Sequence, residues 1–82
     1  MNTRAQNILL DYFCQKLGST CDVTITGVAE VKVGDTRYSI NVFCDILKLG
    51  ANGKNKVIAR SDLPHSLFAP NRMPTNWQEV EA

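Results

Sequence analysis

Apolar residues recur at three- and four-residue intervals over the first seventeen positions. Ala5, Ile8, Leu9, Tyr12, Phe13 and Leu17 make one stripe of a helix. Arg4, Asn7, Asp11 and Gln15 fall on the opposite face, and Leu10 and Cys14 widen the stripe on one side. Thr3 and Gln6 have the spacing of a capping box, in which each side chain satisfies a free amide of the first turn. Gly18 stands where a left-handed cap is wanted. The pattern predicts a helix over 3–17.

The period then changes to two. Cys21, Val23, Ile25, Ala29, Val31 and Val33 occupy odd positions, with Asp22, Thr24, Thr26, Glu30 and Lys32 between them. That alternation describes strand with one face in and one face out. Gly27 interrupts the run without changing its phase, so a bend or close packing is expected there. Gly34-Asp35 suits a two-residue type II′ loop. Folding at that loop sets Val33 against Thr36, Val31 against Tyr38, Ala29 against Ile40, Ile25 against Cys44 and Val23 against Ile46. Each apolar side chain of the first run then lies on the same face as its partner, whereas a slip of one residue would oppose apolar to polar.

A second turn is predicted at Gly50-Ala51-Asn52-Gly53, where Asn-Gly is the favoured type I′ pair. It returns 56–61 against the preceding strand, with Ile46 facing Ala59 inside. Outside, Leu47 faces Ile58 and Asp45 faces Arg60, a cross-strand charge pair. From residue 62 the character changes. Asp62-Leu63-Pro64 reads as the start of a short turn through Phe68, Pro70 and Pro74 break regular structure, and Thr75 is placed to cap a last helical turn carrying Trp77 and Val80. The expected fold is α+β: one N-terminal helix packed on a three-stranded antiparallel meander (21–61), with an irregular Pro-containing C-terminal tail (62–82), in a single domain spanning 1–82.

Composition narrows the class of function. With 82 residues, a single core leaves little room for a deep, water-excluding active site. Nine basic against eight acidic residues leave a net charge of +1, less than a dedicated nucleic-acid binder usually carries. The longest apolar runs are three residues, far short of a membrane span, and no signal-peptide pattern opens the chain. Cys14, Cys21 and Cys44 are odd in number and contain no CxxC, so reduced thiols in a cytoplasmic protein are expected.

Candidate chemistry is thin. His65 is the single histidine, and Ser66 beside it in sequence gives no triad geometry. One His and three scattered Cys show no zinc spacing. Gly50-Ala51-Asn52-Gly53-Lys54 is too short for a phosphate loop, and a strand follows it where a helix is required. Asp22 and Asp45 do not form an acid–base pair. No enzyme, metal or cofactor is therefore expected. Two surface features remain. Lys48, Lys54, Lys56 and Arg60 fall in a stretch without Asp or Glu, with Lys32 and Arg37 beside the other loop; such side chains contact phosphates or keep strand edges soluble. The outer sheet face carries Val28, Phe43, Leu47 and Ile58, an apolar set that marks a partner surface unless Leu63, Leu67, Phe68, Met73 and Trp77 of the tail fold back over it.

The helix text Asn7-Ile8-Leu9-Leu10-Asp11-Tyr12-Phe13-Cys14-Gln15-Lys16-Leu17-Gly18 and the run Arg37-Tyr38-Ser39-Ile40-Asn41-Val42 resemble the first helix and second strand of a double-stranded RNA-binding domain, over residues 6–61. The resemblance implies the order helix–strand–strand–strand, with Gln15 and Lys16 in the first-helix contact region. It departs where that family has a second helix with a phosphate-gripping lysine cluster: this chain reads Ser61-Asp62-Leu63-Pro64-His65-Ser66-Leu67. The Gly34-Asp35 loop also lacks residues that reach a minor groove.

The leading expectation is a small, non-enzymatic protein-binding module, such as a stoichiometric inhibitor or adaptor of the kind phages direct at host enzymes. Val28, Phe43, Leu47, Ile58 and Trp77 are its anchors, because large apolar groups dominate interface energy. The alternatives are nucleic-acid binding through Lys48, Lys54, Lys56 and Arg60, and a homo-oligomer assembled through a sheet edge.

Overall fold

The computed structural model describes residues 1–63 and 72–80. Helix α1 (Arg4–Leu17) is followed by strands β1 (Val23–Gly27), β2 (Glu30–Val33), β3 (Thr36–Ile40), β4 (Asp45–Lys48), β5 (Lys56–Ser61) and β6 (Trp77–Glu79). The fold is α+β, with the strands in one antiparallel sheet in sequence order. The sheet has six strands where the sequence predicts three.

The helix follows its sequence signals. Thr3 Oγ1 accepts from Gln6 N (3.0 Å) and Gln6 Oε1 accepts from Thr3 N (2.8 Å), a capping box worth about 1 kcal/mol. Gly18, at φ 75, donates to Cys14 O (2.8 Å) and ends the helix. The stripe buries Ile8, Leu9, Tyr12 and Phe13 against Val31, Ile40, Cys44, Ile46 and Ala59. Ile8 and Leu9 are fully buried, so truncating either to Ala costs about 2–5 kcal/mol. Gln6 is the buried polar residue of this interface. Its Nε2 donates to Gly27 O (2.7 Å), pinning the helix start to the β1–β2 turn.

Both loops read from the sequence are present. Gly34 has φ 59, while Asp35 keeps negative φ, as a type II′ turn asks. Asn52 and Gly53 have φ 60 and 73, and Lys54 N donates to Ala51 O (3.2 Å), which closes a type I′ turn. Near each loop the expected register holds. Val33 faces Thr36 and Val31 faces Tyr38, while Ile46 faces Ala59 and Asp45 faces Arg60.

Farther from the loops the expected pairings fail, because each long run folds back on itself. Val23 pairs with Val33 and Ile25 with Val31, not with Ile46 and Cys44. Likewise Ile40 pairs with Ile46 across a loop at 41–44. The physical reason is one of parity. An antiparallel pairing in which odd positions meet odd positions keeps every apolar side chain on its face, so alternation cannot distinguish one long strand from two folded together. The β3–β4 loop is built by Asn41, whose Oδ1 accepts from Phe43 N (2.9 Å) and Asp45 N (3.0 Å), an Asx turn. It carries Cys44 at φ 63, fully buried, a conformation that non-glycine residues hold only under constraint. Leu47 faces Val57 and not Ile58, because the β4–β5 ladder shifts register between Ile46 and Leu47. The segment carrying Trp77 is a strand, not a helical turn: Ser61 pairs with Trp77 and Ala59 with Glu79. The expected turn through Phe68, with Leu67 and His65, lies mostly outside the described residues.

Candidate functional site

The alternating strand directions set the geometry of one sheet end. The β1–β2 turn, the β3–β4 loop and the exit of β5 lie side by side there, with the helix N-terminus tied in by Thr3 Oγ1 donating to Val28 O. The most exposed apolar side chains of the turns gather at this end: Val28 is 75% exposed, Val42 49% and Phe43 53%. On the face away from the helix, Asp45, Arg60 and Gln78 form a row across β4, β5 and β6. With Phe43 and Ser61 they line a groove of about 500 Å³. Asn41 Nδ2 donates to Asp45 Oδ2 (3.3 Å), so one side chain holds both the Phe43 loop and the carboxylate of the row.

Of the expected anchors, Phe43 and Val28 therefore stand on exposed turns at one end. Leu47 is half-buried in β4. Ile58 and Trp77 are half-buried and pack against the core cluster. Of the basic set, Arg60 belongs to the Phe43 groove. Lys48 and Lys56 face each other across β4 and β5 at the far end, next to Lys54. Two ammonium groups directly opposite disfavour the pairing.

A second cleft, of about 250 Å³, lies between α1 and β6 and is lined by Tyr12, Gln15, Lys16, Thr75, Asn76, Trp77 and Glu79. The Tyr12 hydroxyl donates to Glu79 (3.0 Å to Oε2), and Lys16 pairs with the same carboxylate. Lys16 also sits 5.7 Å over the Tyr12 ring. The Trp77 ring meets Tyr12 edge-on at 5.0 Å, while its Nε1 is buried without an acceptor among the described residues. Burial, then the hydrogen bond to Glu79, pushes the Tyr12 phenol well above its ordinary range. A phenol kept protonated against an occupied carboxylate has no proton to exchange near neutral pH, so the cluster works as a clamp between helix and strand. Sequence reasoning missed it because Tyr12 and Glu79 are 67 positions apart. Lys16, expected in a contact region by resemblance, is engaged in this clamp.

No family model, curated protein or solved structure matches this chain.

Among the described residues, no three His, Cys, Asp or Glu side chains converge to hold a metal ion, and no helix is long and apolar enough to cross a membrane. Cys14 and Cys21 are exposed and Cys44 is buried, and none of the three is in a disulfide.

Proposed function

We propose that this chain is a non-enzymatic protein-binding module, docking its partner through the sheet end built by the β1–β2 and β3–β4 turns. The observation that carries the reading is Phe43, half-exposed on a loop braced by Asn41, beside the Asp45–Arg60–Gln78 row. An aromatic ring next to a guanidinium, with hydrogen-bonding groups around them, is the composition of an interface hot spot. Val28 and Val42 extend the apolar area. Action as a stoichiometric inhibitor or adaptor follows if the partner is an enzyme.

A second reading rests on a different observation. The Lys48–Lys56 juxtaposition beside Lys54 is relieved by an anion, and nucleic-acid phosphates would supply one. The resemblance to double-stranded RNA-binding domains points the same way.

One experiment separates the two. The protein and its Phe43→Asp and Lys56→Glu variants serve as bait in a lysate, with and without nuclease. Protein docking predicts a stoichiometric partner that survives nuclease, remains with K56E and disappears with F43D. Nucleic-acid binding predicts loss on nuclease treatment, in K56E and at raised salt, with F43D unaffected. A captured protein indifferent to F43D sinks the proposed docking end.

A further inference from the structure

Strand β1 is the first in the sheet order, and among the described residues no strand pairs with its outer side. Its five residues, Val-Thr-Ile-Thr-Gly, carry no charge and no proline, so two of the usual devices that keep an edge from pairing are missing there. Val23 N donates to Thr20 O (3.1 Å) and so points away from β2. In an antiparallel ladder the direction alternates, which turns the amide and carbonyl of Ile25 outward as well. Ile25, on the face that packs the helix, is 39% exposed.

We infer that β1 pairs antiparallel with β1 of a second copy of this chain, in a two-fold dimer centred on Thr24. The register is self-complementary. With Thr24 opposite its own copy, Val23 lies opposite Ile25 of the other copy, twice, on the helix-facing side. Asp22 lies opposite Thr26. Each Ile25 amide then reaches a Val23 carbonyl. Apolar meets apolar, Thr meets Thr and no like charges face each other, the combination that favours cross-strand pairing. Such a contact is isologous, so it closes at two copies and does not propagate. The irregularity between Ile25 and Gly27 ends the ladder after a few residues, which makes the dimer concentration-dependent. Partner docking at Phe43 uses other residues and is independent of this contact.

The test is sedimentation equilibrium of the wild-type chain and of Thr24→Lys and Thr24→Glu, each alone and mixed in equal amounts, over about three decades of concentration. Position 24 is exposed, and circular dichroism with an unfolding midpoint checks that both variants keep the fold. The wild type is expected to shift from monomer to dimer. Each charged variant, meeting its own charge across the axis, is expected to dimerise at least roughly tenfold more weakly, and the Lys/Glu mixture to recover the dimer. A wild type that stays monomeric throughout overturns the inference, and so do charged variants that dimerise as the wild type does. A mixture no better than its components overturns it equally.

Discussion

The two edges of the sheet are built in opposite ways. β6 is three residues long, too short to hold its place through one ladder alone, yet it is fastened from three sides. Trp77 packs edge-on against Tyr12. Glu79 takes the Tyr12 hydroxyl and the Lys16 ammonium. Asp62 accepts from Thr75 N (3.1 Å) and Thr75 Oγ1 (2.9 Å), bracing the connection where it enters the strand. β1 is longer and lies under the helix, and among the described residues the hydrogen bond recorded on its outer side is Val23 N to Thr20 O. A sheet with ends must protect each edge or use it. Here one edge strand is fastened to the helix by its side chains, and the other is an uncharged strand.

The largest expected effect comes from unfastening β6. Trp77→Ala removes the aromatic contact with Tyr12; because Trp77 is half-buried, about 2–4 kcal/mol is expected in urea unfolding. Hydrogen exchange at 77–79 should rise to the global limit before that of β2 and β3. If β6 amides stay protected in this variant, the clamp is not what holds the strand.

Tyr12→Phe comes next, at about 1–2 kcal/mol for a hydrogen bond to a carboxylate. It also carries a pH signature. The folded phenol is raised first by burial and then by Glu79, so the folded state retains its proton where the unfolded chain releases one. This contribution is intact below the unfolded value of about 10 and lost as pH rises from there toward the folded value. Wild-type stability should therefore fall above about pH 10 more steeply than that of Tyr12→Phe. Parallel curves would contradict the assignment.

Asp62→Asn is expected to act more weakly and at the other end of the pH scale. Burial works against the Asp62 charge, but hydrogen bonds from the Thr75 side chain and from the Asn76, Thr75 and Asp62 backbone outweigh it and hold the carboxyl below its ordinary range. Its contribution is present above the unfolded carboxyl range and fades as pH falls through the folded value. The variant should lose part of the acid dependence of unfolding, with faster exchange in 77–79 and little change elsewhere. Thr24→Lys sets a second ammonium opposite Lys32 of β2, so monomer stability should fall by roughly 0.2–1 kcal/mol. A loss larger than Tyr12→Phe would mean that β1 is held by contacts the geometry does not show.

Much of the architecture is legible in the chain because its causes are local. The helix is specified by the Thr3/Gln6 box, the Ile8–Phe13 stripe and Gly18. The loops are specified by Gly34 and by Asn52-Gly53, whose positive φ values few other residues adopt cheaply. The in–out assignment of Val31, Tyr38, Ile40, Ile46 and Ala59 is likewise carried by alternation. Asn41, in the middle of an apparent strand, was a local sign of the additional loop, since Asn is depleted in strands and builds Asx turns. The candidate site was half legible. Phe43 and Arg60 were visible separately as an aromatic and a cation, but their shared groove depends on that loop.

Residue order by itself determined which side chains face the core, because period and capping are properties of neighbours in sequence. Only the tertiary structure decided which strand lies beside which. A fold-back of even register preserves the same faces, so the choice rests on contacts that sequence spacing does not encode: Gln6 with the Gly27 carbonyl, Asn41 across its loop, and Tyr12 with Glu79. These contacts turn three expected strands into six and fasten the last strand to the helix.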